Sequence, residues 1–136
     1  MAGNIQIEVV TPEKAVVNEE AKIVMAPGRL GEFGVLIGHT PFLTTLKTGV
    51  INYSDVDGKD RQVFVSGGFA EILPDKVTIL AESAERRRDI DINRAKEAKK
   101  RAEQRMSEKK EEIDYVRVRS ALQRSIQRIS VAEKKI

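Results

Sequence analysis

Phe69-Ala70-Glu71-Ile72-Leu73-Pro74-Asp75-Lys76-Val77-Thr78-Ile79-Leu80 holds the last proline of a 136-residue chain, and the character of the sequence changes across it. Two short apolar runs flank Pro74-Asp75, a pair suited to a tight reversal, so the stretch reads as strand, turn, strand. All nine glycines and all four prolines lie at or before Pro74, which leaves residues 75–136 without a backbone breaker of either kind. Charge divides in nearly the same place. A cut after Leu80 leaves 7 basic and 10 acidic residues before it and 17 basic and 11 acidic after it, −3 against +6. Two structural regimes are expected to share the chain.

Upstream, the pattern is that of strands. Ile5, Ile7 and Val9 alternate with Gln6, Glu8 and Val10, the period of a strand half buried on one face, and Thr11-Pro12 ends the run. Similar short runs lie at Ala15–Val17, Ala21–Ala26, Gly34–Ile37, Phe42–Leu46, Val50–Tyr53, Gln62–Ser66, Phe69–Leu73 and Lys76–Leu80. Asp57-Gly58 is a hairpin signal because glycine tolerates positive φ. Eight or nine closely spaced short strands predict an antiparallel β-sandwich or flattened barrel over residues 1–84.

Downstream, the period becomes helical. Ala95, Ala98 and Ala102 form a narrow small-residue stripe within 89–106, while Tyr115, Val118, Leu122, Ile126 and Ile129 keep helical spacing within about 113–131. Ser107–Glu112 is wholly polar and predicts the turn of an αα-hairpin, giving a helical unit over residues 85–136 and an α+β chain overall. One narrow seam makes little core, so the hairpin must lean on the sheet unit, a ligand or a partner protein.

Composition narrows the chemistry. With 40% hydrophobic and 33% charged residues, the chain suits one or two small units and is too short for a large catalytic fold. No cysteine and a single histidine, His39, exclude disulfide frameworks, thiol nucleophiles, structural zinc sites and triads built on several histidines. No apolar run approaches the roughly 20 residues needed to span a bilayer, and the start lacks a basic-then-apolar leader pattern, so a soluble, unprocessed, cytoplasmic chain is expected. Gly28-Arg29-Leu30-Gly31-Glu32-Phe33-Gly34 superficially resembles a phosphate loop, but Val35-Leu36-Ile37 continues as strand where a helix N-terminus is required, so its glycines are read as turn residues. His39 can be a loop histidine bonded to backbone, a catalytic group or an interface residue.

The arginines are more informative. Arg94, Arg101 and Arg105 recur at the same offsets as Arg117, Arg124 and Arg128, so each predicted helix carries a one-sided guanidinium stripe. Converging guanidiniums suit a polyphosphate through bidentate bonding. The same stripes also fit a solvated face balanced by Glu97, Glu103 and Glu111, or a nucleic-acid surface, although Tyr115 is the only stacking residue there.

Ile90-Asp91-Ile92-Asn93-Arg94-Ala95 resembles the Ile/Leu-Asp-x-x-Arg-Ala motif of the ε subunits of bacterial F-type ATP synthases. Val9-Val10-Thr11-Pro12, Gly31-Glu32-Phe33-Gly34 with Gly38-His39-Thr40-Pro41, Ser66-Gly67-Gly68-Phe69 and Val77-Thr78-Ile79-Leu80-Ala81 agree with that family in the same order. The resemblance implies a non-catalytic, peripheral rotor subunit on the cytoplasmic side of the bacterial plasma membrane. Its sandwich is expected to join the γ subunit to the c-ring, with Glu32 and His39 at that interface. Its hairpin is expected either to fold onto the sandwich or to extend along γ toward the α and β subunits and restrain hydrolysis. The family's ATP-sensing members further imply ATP as a regulatory ligand of the folded hairpin. Carried over residue by residue, its groove would comprise Glu85, Ile90, Asp91, Arg94, Ala95, Arg101, Arg124 and Arg128, with no catalytic residue, no metal site and no nucleic-acid partner.

Overall fold

A computed structural model describes residues 3–108 and 112–134. Its strands are β1 (Ile5–Val10), β2 (Ala15–Gly28), β3 (Gly31–Val35), β4 (Phe42–Asp55), β5 (Asp60–Ile72), β6 (Lys76–Ala81) and β7 (Ala84–Arg86). A single 3₁₀ turn, Arg87–Asp89, leads to α1 (Ile92–Glu108) and α2 (Glu112–Glu133). The sheet runs β1-β6-β5-β4-β2-β3, and β1 also pairs with β2, so five of its strands close into a flattened barrel. Every pairing is antiparallel except β1 with β6.

Several runs expected as separate short strands are continuous. Ala15–Val17 joins Ala21–Ala26 in β2, Phe42–Leu46 joins Val50–Tyr53 in β4, and Gln62–Ser66 joins Phe69–Leu73 in β5. The segments between them bend an extended chain instead of reversing it. Gly67 and Gly68, at φ 105° and 133°, make the bend in β5; a Cβ on Gly68 would lie 2.0 Å from the Leu80 carbonyl oxygen, so no other residue fits. The bend divides β5 between two neighbours, β7 along Val63–Val65 and β6 along Gly68–Ile72. Both expected reversals form: Gly58, at φ 81°, turns β4 into β5, and Leu73 and Lys76 exchange backbone bonds around Pro74-Asp75.

Alternation fills the barrel. Ile5, Ile7 and Val9 from β1, Ile51 and Tyr53 from β4, Val63 and Val65 from β5, and Val77 and Ile79 from β6 form one buried cluster. Phe64 projects to the other face of β5, yet it is fully buried. The cover is α2, which packs across β4 and β5, with the Arg128 guanidinium 4.4 Å from the centre of the Phe64 ring.

The hairpin packs along the alanine stripe, with Ala95 and Ala102 both buried. Among the described side chains of α2 the buried ones are Val118, Ser125 and Val131, whereas Tyr115 is 51% and Ile126 36% exposed. The expected α2 face is therefore rotated. Ser125 can be buried because its hydroxyl donates to the carbonyls of Ala121 and Leu122 at 3.1 and 2.9 Å. Part of the expected Ser107–Glu112 turn, 109–111, lies outside the described residues; Ser107 and Glu108 end α1, and Glu112 opens α2.

Candidate functional site

The junction between sheet and hairpin is built from residues 84–92. Arg86 ends β7 and is a structural tie: its Nε donates to the Val16 carbonyl at 3.0 Å, and its terminal nitrogen lies 4.0 Å from Glu19. Glu19 in turn accepts a short hydrogen bond from the Tyr53 hydroxyl, and burial together with that bond raises the phenol well above its ordinary pKa. Asp91 caps α1, with Oδ1 accepting the Arg94 N–H at 3.1 Å and its carbonyl accepting the Ala95 N–H at 3.0 Å. A motif residue expected to meet a ligand thus has a local task as well.

Of the expected groove residues, the structure joins one pair outright. Arg128 Nε donates to Glu85 Oε2 at 3.0 Å, linking α2 to β7 while the same guanidinium stacks on Phe64. Arg94 and Arg101 are exposed on α1, and Arg124 is half-buried on α2. Among the described residues none of these three makes an ion pair or a side-chain hydrogen bond. Ala95 is buried where the helices pack, so its side chain serves packing. Ile90 is half-buried beside a cleft.

That cleft, of about 650 Å³, opens on the side of the junction formed by the start of β5. Lys59 and Asp60–Gln62 form one wall, Arg86–Arg88 with Ile90 and Ile92 a second, and Ala132 and Lys134 near the end of α2 a third. Two of its cations are already engaged: Arg86 as described, and Arg61, which donates to Asp55 Oδ2 at 3.0 Å. Arg86, Arg87 and Arg88 are consecutive in the sequence, whereas their meeting with Lys59 and Lys134 depends on tertiary packing. Phe64 was also missed as an anchor, although Val63-Phe64-Val65, three consecutive apolar residues in a strand, carries the signature of a segment covered on both faces.

At β3 and the loop after it, Glu32 is exposed and His39 is half-buried. His39 Nδ1 meets the Thr40 carbonyl at 2.7 Å, so that nitrogen carries the proton. The His39 ring lies 5.2 Å from Phe42, and Phe42 meets Phe33 edge-on at 5.3 Å. Leu36 and Leu43, on either side, are 55% and 70% exposed. Among the described residues no group of three or more His, Cys, Asp or Glu is arranged to hold a metal, and no helix is long and apolar enough to cross a membrane.

Comparison with known proteins agrees with this two-part build. Residues 4–87 match the family model described as ATP synthase, Delta/Epsilon chain, beta-sandwich domain, and residues 88–133 match its long alpha-helix domain. An ATP synthase epsilon chain from Desulfosudis oleivorans is 60% identical over 106 residues, which are 78% of this chain and 80% of the relative. Another, from Desulfatibacillum aliphaticivorans, is 65% identical over 106 residues, 78% of this chain and 75% of the relative. In fold, the chain resembles one in the cryo-EM structure of the Euglena gracilis mitochondrial ATP synthase, with a TM-score of 0.81, 23% identity, and coverage of 96% of this chain and 82% of that one. A closed sandwich, a docked helical pair and sequence matches spanning both together show that this chain belongs to the ATP synthase delta/epsilon family and groups with its epsilon chains.

Proposed function

We propose that this epsilon chain, a non-catalytic subunit of the central stalk, couples the γ subunit to the c-ring through its sandwich and restrains ATP hydrolysis through its hairpin. In this reading the exposed Glu32 and the His39 loop, with Leu36 and Leu43 beside them, face the rotor partners. The subunit sits peripherally on the cytoplasmic side of the bacterial plasma membrane and touches the bilayer only through the complex. ATP is the regulatory ligand, and it binds the docked hairpin.

The observation that carries the regulatory half is the position of Arg128. It fastens α2 to the sandwich through Glu85 and Phe64, and it also belongs to the proposed ATP groove with Ile90, Asp91, Arg94, Ala95, Arg101 and Arg124. Its bond to Glu85 uses Nε, so its terminal nitrogens remain available to phosphate. A ligand that binds only the docked form shifts the conformers by its differential affinity, so ATP opposes extension toward the α and β subunits. The hairpin half of the chain carries the +6 charge, which suits an acidic partner surface once extended.

The test is reconstitution with the cognate γ subunit and catalytic hexamer. The chain should co-purify with γ and lower the hydrolysis rate, with rising ATP relieving that restraint. Failure to associate with γ at any salt concentration overturns the coupling role. A restraint insensitive to ATP overturns the sensing role.

A further inference from the structure

We infer that the cleft between the start of β5, the Arg87–Asp89 turn and the end of α2 is a second anion site, built for a polyphosphate and sharing only Ile90 with the Arg94 groove. Among the described residues, Lys59, Arg87, Arg88 and Lys134 line it without an ion pair or side-chain hydrogen bond of their own. Asp60 is the one carboxylate among the described lining residues, so the four uncommitted cations exceed it by three positive charges. Four unpaired cations around one cleft repel each other, and an anion with several oxygens relieves that repulsion while accepting forked bonds from guanidinium.

A second, independent observation concerns Gln62, which lines the same cleft. Its Nε2 donates to Asn52 Oδ1 at 2.7 Å, but its Oε1 is buried with no hydrogen-bond partner. A buried acceptor left unsatisfied is costly, and a small shift of the Gln62 side chain toward the cleft lets a donor on the ligand satisfy it. The hydroxyl and amino groups of a phosphate ester are such donors, and Ile90, Ile92 and Ala132 offer an apolar wall to the rest of the molecule. A volume of about 650 Å³ accommodates a ligand of nucleotide size.

The position gives the site a consequence. Its walls come from the sandwich, the linker and the end of the hairpin, so it is complete only when the hairpin is docked. A polyphosphate held there fastens the docked form by mass action whether or not the Arg94 groove binds ATP.

The experiment is calorimetric titration of the full chain at low salt with sodium tripolyphosphate and, separately, with ATP. It compares the parent, the double variant Arg87→Gln/Arg88→Gln, and Arg94→Ala, with circular dichroism as the control for folding. Tripolyphosphate should bind the parent saturably and still bind Arg94→Ala saturably with that groove impaired, and the double substitution should weaken this remaining binding by about tenfold or more. Saturable binding of ATP alone, weakened by the double variant and by Gln62→Leu, also supports the site and assigns the extra affinity to the ester's donors. Absence of saturable binding by either probe overturns the inference. So does a folded double variant that binds both probes as tightly as the parent, or an Arg94→Ala variant that abolishes tripolyphosphate binding.

Discussion

Replacing Phe64 with alanine separates docking of the hairpin from the stability of the barrel. Phe64 is fully buried yet stands outside the barrel's core cluster, on the face of β5 that α2 covers. Covering a phenylalanine side chain contributes about 1.5–3 kcal/mol, and a guanidinium over the ring adds about 0.5–2 kcal/mol at a partly desolvated site. A combined loss of about 2–5 kcal/mol lowers the ratio of docked to released hairpins by about 30- to 4,000-fold, at about 1.4 kcal/mol per factor of ten. The chain has no native cysteine, so Glu71→Cys on β5 and Glu97→Cys on α1, both exposed, can carry a spin-label pair. Electron–electron distance measurement should give one narrow distribution for the parent and a broad, longer one for Phe64→Ala, with Phe64→Leu between them. The β-sheet circular dichroism should persist in all three. A Phe64→Ala distribution superimposable on the parent's would refute the reasoning, because the ring would then contribute nothing to docking.

Removing the α1 cap with Asp91→Ala should cost about 0.5–2 kcal/mol of local stability, read as faster amide exchange at Arg94 and Ala95, while Asp91→Ser retains most of the protection. Gly68→Ala places a methyl against the Leu80 carbonyl at an unfavourable φ, so a loss above about 1–3 kcal/mol is expected by denaturant titration; parent-like stability contradicts the bend. Asp55 accepts backbone bonds from Lys59 and Asp57 and a side-chain bond from Arg61, which hold its carboxyl below the usual range, with the Lys59 bond the largest cause. Because the folded pKa is the depressed one, this contribution is complete above about pH 4 and fades as pH falls through the folded value. Asp55→Asn should therefore be less stable than the parent at pH 7, and the two melting temperatures should converge in acid; a constant gap contradicts this.

Features set by neighbouring residues were the most legible in the sequence. The Ile5-Ile7-Val9 alternation, the Asp57-Gly58 turn and the Pro74-Asp75 reversal each rest on a few adjacent side chains and dihedrals, and each appears where expected. Gly67-Gly68 misled because the same permissive backbone serves a break or a bend, and the close approach of Leu80 that decides for a bend is a tertiary fact. Ile126 and Ser125 exchanged expected burial for a related reason: helical period specifies a face to within about a residue, and packing selects the smaller side chain whose hydroxyl can be satisfied locally. Within the site, Asp91 was named only as a ligand residue, inside a helical stretch read from Asp89 onward; its capping of α1 is seen only once the helix start at Ile92 is fixed. Glu85 and Arg128, 43 residues apart, were each named through family resemblance as groove residues, but their bond to each other, like the grouping of Lys59, Arg87, Arg88 and Lys134, emerges only in the folded chain.

The central claim, that the docked hairpin senses ATP through its arginine groove, is tested most directly by calorimetric titration of the full 136-residue chain with ATP, with and without magnesium, beside Arg94→Ala. Saturable binding weakened by the substitution is the predicted result. Absence of ATP binding, or equal affinity in parent and variant, contradicts it and makes the arginine stripes a surface for protein contact.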